Sequence, residues 1–238
     1  MKNKDHEENV GEIIKKKKVA VVIPCLNEEK GIKKVLKKIP PFVDKVIVVD
    51  NNSTDNTAKI AKESNAVVLF EGKKGKGNAF NQFMKYYSNG FDADFVVMLD
   101  GDDTYDAREM KKIVEPLCNG SQVVVGNRFA SDNIKGIMSD QTYWGNKFLT
   151  TMAKLLYGKD PKDVCTGYWG FSKEFLNKAK IKAEGFDLEA NLFAEVARNK
   201  LNLGVVPINY RSRVGESKLK YSHGFLIMWR LLRNKISS

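Results

Sequence analysis

The chain has 238 residues, 42% of them hydrophobic, and a formal net charge of +11. That length and apolar content suit one α/β domain with a sizeable core, and the basic excess calls for an anionic partner: nucleic acid, an anionic membrane or a phosphorylated substrate. No apolar run approaches the roughly 18 residues needed to cross a bilayer, which excludes a membrane span. The first eighteen residues are polar, so no secretory leader is expected, and residues 1–17 read as a mobile tail. Cys25, Cys118 and Cys165 lack metal-ligand spacing and are odd in number. Reduced thiols in a cytoplasmic compartment fit them.

Taken in order, Val19–Pro24 reads as a buried strand, followed by a lysine-rich amphipathic helix to about Ile39 with Ile32, Val35, Leu36 and Ile39 at helical spacing. Lys45–Asp50 is a second strand, and 51–55 is turn and cap chemistry before the next helix. Ala66–Phe70 is a third strand. Gly72–Gly77 alternates glycine and lysine and leads into a helix through Tyr87. Phe95–Leu99 is the fourth strand and Gln122–Val125 the fifth. Further on come a helix over 141–157, a short aromatic segment Gly167–Phe171, helices near 172–180 and 186–200, a strand over 203–213 and a basic amphipathic helix over 218–235. Strand–helix alternation with short connections predicts a mostly parallel sheet flanked by helices, in a single domain over 18–238. The unusual loops at 24–29, 50–55, 72–78 and 100–106 all follow strands, on the edge where such sheets bind ligands.

Phe95–Asp106 carries the sharpest signal, because a buried strand ends abruptly in Asp100, Asp102 and Asp103. Crowded carboxylates repel unless a cation sits among them, and Mg²⁺ or Mn²⁺ is often held by one or two carboxylates plus substrate phosphates. The competing reading is a solvated acidic loop with Asp106 as a helix N-cap. Glu28 and Asp50 can accept ribose hydroxyls or a base N–H, or serve as helix-dipole compensation and a turn former respectively. Gly75 and Gly77 let backbone approach a phosphate and bring Lys76 near it, or mark a flexible surface loop. The loop is neither a P-loop nor a Gly-x-Gly-x-x-Gly fingerprint.

In this order, Ile23–Glu29, Val48–Asp55, Gly75–Ala79 and Leu99–Thr104 resemble the successive motifs of family 2 glycosyltransferases of the GT-A fold. Val125–Phe129, Gly145-Asn146, Thr166–Phe171 and Arg213–Leu219 resemble the dolichyl- or polyprenyl-phosphate sugar synthases within that family. The resemblance implies a Rossmann-like GT-A sheet with C-terminal amphipathic helices, and inverting transfer of one sugar from a nucleotide diphosphate sugar to a polyprenyl phosphate. Carried over by position, it implies that Pro24, Leu26, Glu28 and Asp50 hold the nucleoside and that Asp100 and Asp102 face diphosphate and metal. Arg128 would bind the acceptor phosphate, and Arg213, Ser217 and Lys218 would close over the site. Two positions depart from relatives. Asp103-Thr104 leaves the third metal ligand open, and Tyr168-Trp169 stands where others have Phe-Arg, with Lys147 or a C-terminal arginine as the candidate substitute for that phosphate-binding cation.

The acceptor class also follows from acid–base chemistry. A hydroxyl acceptor needs a general base, whereas a phosphate monoester, with its second pKa near about 6, arrives largely as a dianion. His6 and His223 lie outside the motif loops and read as surface residues. Phe225, Met228, Trp229 and Leu232 form a helical stripe beside Arg230, Arg233 and Lys235, which suits either core packing or an interfacial helix at the cytoplasmic face of a membrane. The stripe over 144–156 has the same two readings. Three rivals stand. A sugar nucleotidyltransferase would need a Gly-rich loop after the first strand. A nucleic-acid binder leaves the aspartate cluster unexplained, so no nucleic-acid partner is expected. A hydroxyl-acceptor glycosyltransferase would need Asp187 or Glu189 as base. UDP-linked glucose or N-acetylglucosamine is the favoured donor, with GDP-mannose the alternative.

Overall fold

The structure, a computed structural model, describes residues 11–132, 134–215 and 222–236. Seven strands form one sheet in the order β3-β2-β1-β4-β6-β5-β7. They are β1 Val19–Cys25, β2 Lys45–Asp50, β3 Val67–Phe70, β4 Phe95–Met98, β5 Val123–Asn127, β6 Trp169–Ser172 and β7 Leu203–Pro207. Among the described strands only β6 runs antiparallel, pairing Met98 with Trp169 on one side and Val125 with Trp169 on the other. The expected strand over 203–213 stops at Pro207, and the chain beyond it crosses the strand ends, where Tyr210 bridges Tyr105.

Besides a helical stretch over residues 11–15, nine α-helices are described: α1 Glu29–Leu36, α2 Thr57–Glu63, α3 Lys76–Ser88, α4 Met110–Cys118, α5 Ile134–Ile137, α6 Asp140–Tyr157, α7 Lys173–Lys178, α8 Leu188–Arg198 and α9 Ser222–Ile236. The strands read as near-continuous apolar runs because both faces are covered. One layer packs α1, α2 and α4 on the sheet through Ile32, Val35, Ala61, Ile113 and Val114. The other packs α3, α6, α8 and α9 through Phe80, Phe83, Leu149, Phe193 and Leu231. Residues 11–15, inside the stretch expected to be a mobile tail, are helical, and Ile14 is buried in the first layer.

The amphipathic helices sort themselves by hydrophobic row. On α6 the buried row is Asn146, Leu149, Thr150 and Ala153. On α9 it is Ile227, Leu231 and Asn234, whereas Phe225 and Trp229 of the anticipated stripe face outward. Met228 is partly buried against the core. Ser139 caps the start of α6 by accepting from Thr142 N, and Gly158, at φ 67°, ends it in the left-handed conformation favoured by glycine.

Candidate active site

Because β1 to β4 are mutually parallel, the loops after them meet at one edge. A cleft of about 970 Å³ lies there, walled on its far side by α6 and α9. The antiparallel β6 adds its own start to the same edge, so Gly167 sits beside Asp100. A Cβ at Gly167 would overlap Asp100 Oδ2, and Gly167 N donates to Tyr105 Oη at 2.7 Å.

The acidic run after β4 has separate fates. Asp106 caps the short turn at Ala107–Glu109, accepting from Arg108 N at 3.2 Å, and pairs with Arg108 and Arg211. Asp103, at φ 65°, swings away to Lys38 at 2.6 Å, outside the cleft lining. Asp100 and Asp102 remain in the cleft. Asp102 Oδ1 accepts from Thr104 N at 3.0 Å and Oγ1 at 2.6 Å, and its Oδ2 meets Arg213 at 2.8 Å. Burial pushes the Asp102 carboxyl above the usual carboxylate range, with Asp100 adding repulsion and Arg213 opposing both.

The Gly75-Lys76-Gly77 step acts through packing. Cβ atoms at Gly75 or Gly77 would run into the backbone of Ala183 and Glu184, so the glycines let α3 dock on that loop. Gly77 N and Asn78 N donate to Gly185 O and Glu184 O at 3.0 and 2.9 Å. This docking turns Lys76 into the cleft between Asp100, at 2.6 Å, and Glu189, at 2.5 Å. Burial alone would lower the Lys76 pKa, but the two carboxylates outweigh it and hold the ammonium charged. Burial raises the Glu189 pKa, aided by Asp100 and opposed by Lys76.

Arg213, on the segment that crosses the strand ends, bonds both Glu28 Oε1 and Asp102 Oδ2, with its Nε buried and unpartnered. Arg128 is buried, and Asp163 grips it by the backbone N at 3.1 Å, Nε at 2.7 Å and the terminal nitrogen at 2.8 Å. Burial opposes its charge, yet Asp163 holds the guanidinium ionised. The Tyr210 ring lies 5.4 Å from it.

The family model for glycosyl transferase family 2 matches residues 20–179. The chain belongs to glycosyl transferase family 2. This glycosyltransferase is 31% identical to the UDP-N-acetylglucosamine--dolichyl-phosphate N-acetylglucosaminyltransferase of Methanococcus voltae, over 92% of this chain and 97% of that one. It is 32% identical to the dolichyl-phosphate hexose transferase of Haloferax volcanii, over 84% and 86% of the two chains. It is also 32% identical to glycosyltransferase AglJ of Haloferax volcanii over 82% of its own length, but spans 63% of that relative, and 52% of Agl6 from the same organism. Among solved structures, glucosyl-3-phosphoglycerate synthase from Mycobacterium tuberculosis, in complex with Mn²⁺, UDP and glucosyl-3-phosphoglycerate, superposes with a TM-score of 0.76 at 22% identity, over 94% of this chain and 83% of that one. The fold is GT-A.

In this glycosyltransferase the cleft brings together Pro24, Leu26, Glu28, Gly75, Lys76, Asp100, Asp102, Arg128 and Arg213. Asp50 and Gly77 are not in its lining; Asp50 turns back to accept from Ser53 N at 3.2 Å. Ser217 and Lys218 lie outside the described residues, as does His6. Lys147 sits 4.0 Å over the Phe129 ring, outside the lining, and Asp187 is tied to Arg230 at 2.6 Å and to Gly185 N. His223, read from sequence as a surface residue, lines the cleft against Phe186, because α9 folds back over the mouth. Three positions were missed. Asn51 ties β2 to the glycine loop, accepting from Gly75 N at 2.6 Å and donating to Lys73 O at 2.6 Å. Asp163 fixes Arg128, and Arg211 supplies a further cleft cation. Asn51 lies within the Val48–Asp55 motif; Asp163 and Arg211 fall just outside the motifs and are joined to the site by long-range packing.

Proposed function

We propose that this glycosyltransferase transfers one sugar, with inversion, from a nucleotide diphosphate sugar to a polyprenyl phosphate of the dolichyl type at the cytoplasmic face of a membrane. One observation carries the reading. Among the described residues lining the cleft, every carboxylate is paired with a cation: Glu28 and Asp102 with Arg213, Asp100 and Glu189 with Lys76. Arg128 and Arg211 stand beside them. Such a site binds phosphates and offers no unpaired carboxylate base, which suits an acceptor that is already anionic.

Asp100 and Asp102 would hold a divalent ion, Mg²⁺ or Mn²⁺. Their pairing with Lys76 and Arg213 marks the same need for positive charge, and two carboxylates with diphosphate oxygens suffice for such an ion. When bound, the ion neutralises charge on the leaving diphosphate. Pro24, Leu26, Glu28 and Asp50 are proposed for the nucleoside, and Gly75 and Gly77 for setting Lys76 toward the phosphates. Arg128, held in place by Asp163, aligns the acceptor phosphate, with Arg213, Ser217 and Lys218 closing over it. An acceptor phosphate oxygen attacks the anomeric carbon in line, and the bond to the diphosphate breaks with its electron pair leaving on the nucleotide.

UDP-N-acetylglucosamine, the donor named for the Methanococcus relative, or UDP-glucose is the favoured donor, and GDP-mannose is the alternative. The test is transfer of radiolabel from each donor to dolichyl phosphate. We expect organic-extractable label from one donor, abolished by EDTA and by Asp102→Ala. No lipid-linked label from any donor, despite nucleotide binding, would overturn the phosphate-acceptor reading. The presence of His223 in the cleft favours a second reading, a hydroxyl acceptor with His223 or Glu189 as base. Retained lipid-linked transfer in His223→Gln excludes histidine as base.

A further inference from the structure

A second cavity, of about 1190 Å³, is bounded by the glycine loop, α3, the 89–92 turn, α7 and the segment after it. Nothing in the proposed transfer uses it. Asn78, Asn81, Lys85 and Ser88, at helical spacing, make one face of α3 its wall. Phe91, stacked on Tyr86 at 5.3 Å, supplies an apolar side with Leu176 and Ile181. The carboxylates of the wall are engaged. Glu71 Oε1 accepts from Lys73 N at 2.8 Å, and Asp92 is held by Lys18 at 2.9 Å and Lys173 at 2.8 Å. Among the described residues, the Lys73 and Lys85 ammoniums have no carboxylate partner, and the Asn89 and Asn177 side-chain amides bond no other group. The cavity therefore offers one ligand two free cations, spare amides and an apolar surface.

The same two segments wall both sites. Glu71, Lys73 and Asn78 line this cavity, while Lys74, Gly75 and Lys76 line the cleft. Ala179 and Ile181 line the cavity, while Gly185 and Glu189 line the cleft. The segments are stitched together by Gly77 N to Gly185 O, by Asn78 N to Glu184 O and by Asn81 Nδ2, which donates to Ala183 O at 3.0 Å. That seam sets Lys76 between Asp100 and Glu189. We propose that the cavity is an effector site for a phosphorylated monosaccharide, whose binding firms the seam and so tightens the donor nucleotide in the cleft. A phosphate monoester is largely dianionic at neutral pH, which matches the two free ammoniums. Sugar hydroxyls exchange hydrogen bonds with the amides, and the C–H face of the sugar packs on Phe91. A nucleic acid would need a longer row of cations, and an acyl chain would leave the amides unsatisfied. Because the first ligand bears the cost of ordering the seam, the second binds more tightly. The coupling rests on the donor half of the proposed function and is independent of its acceptor.

The test uses the full chain, with glucose 1-phosphate as the probe. Calorimetry should show one probe site, retained when UDP and Mn²⁺ fill the cleft, and by reciprocity each ligand should tighten the other by about fivefold. Amide hydrogen exchange at Gly77 and Asn78 should slow when the probe is bound. Lys85→Ala/Asn177→Ala, at two exposed positions outside the cleft lining, should weaken the probe by about tenfold or more and remove the coupling. Its melting temperature, and its affinity for UDP without probe, should stay unchanged. Competition between UDP and the probe overturns the proposal, since the probe then sits in the cleft. So does inorganic phosphate binding as tightly as glucose 1-phosphate, a variant within twofold of the parent, or a UDP affinity unmoved by the probe. The absence of saturable probe binding up to about 10 mM overturns it as well. If UDP does not bind the chain at all, the donor reading falls, and the cavity is judged by the probe's affinity for parent and variant.

Discussion

Four aspartates within seven residues meet four surroundings, and these decide their chemistry. Asp106 faces a backbone N–H and two arginines, Asp103 a lysine outside the cleft, and only Asp100 and Asp102 share the cleft with its cations. The place of Asp100 depends on the missing side chain at Gly167. Gly167→Ala should push the Asp100 carboxylate aside and lower Mn²⁺ affinity in the presence of UDP by about tenfold or more, as read by calorimetry, while the circular dichroism spectrum stays unchanged. Arg213 lowers the Asp102 pKa against burial and Asp100. Arg213→Gln should therefore raise it further, which carboxyl NMR titration of the metal-free protein would show; a fall would refute the assignment. Sequence showed that this run was chemically loaded, and the family resemblance singled out Asp100 and Asp102, but the spacing alone could not separate its members. Whether a carboxylate ends against a backbone N–H, a lysine or a cleft depends on a turn direction and on neighbours more than a hundred residues away.

At the scale of elements, glycines and one buried pair place the cations. Gly77 is a packing residue whose Cβ would meet backbone of the Ala183 loop. Gly77→Ala should destabilise the protein by about 1–3 kcal/mol, and should impair donor binding, because Lys76 turns with the start of α3. The Arg128–Asp163 pair joins the end of β5 to the loop before β6 with neither side chain in water. Asp163→Ala leaves a buried unpaired guanidinium and should cost about 3–5 kcal/mol in denaturant melts. Arg128→Met/Asp163→Leu should regain most of that stability without regaining transfer, which separates positioning from folding. Alternation of strands and helices was legible from hydrophobic period alone, because buried parallel strands cannot alternate and amphipathic helices must. The direction of β6 was not. Its reversal follows from α6 and residues 158–168 running along the carboxyl edge before the chain re-enters the sheet.

For the whole molecule, charge is both a stability term and a means of contact. Burial would raise the Asp106 pKa, but bonds from Arg108 and the charge of Arg211 bring it down to about 2 from 3.8. A depressed carboxylate pKa favours the folded state above the ordinary value, and that contribution is lost as pH falls through about 2. Acid unfolding of the parent and of Asp106→Asn should therefore differ above pH 4 and converge near pH 2; parallel curves down to pH 2 would contradict this. The chain's net charge of +11 announced an anionic partner without saying where it binds. The structure gathers Lys76, Arg128, Arg211 and Arg213 in one cleft, the site proposed for it.

The sequence by itself determined the sheet-and-helix alternation, the edge where the cleft lies, the family and the presence of Asp100 and Asp102 at that edge, because each is written in local period or in contiguous motifs. Only the tertiary structure decided that Asp50 accepts from Ser53 N outside the cleft lining, that His223 enters the cleft, that Asp163 holds Arg128, and which rows of α6 and α9 face outward. Those outcomes rest on which side of an element finds a partner, and that is set when distant segments close on one another.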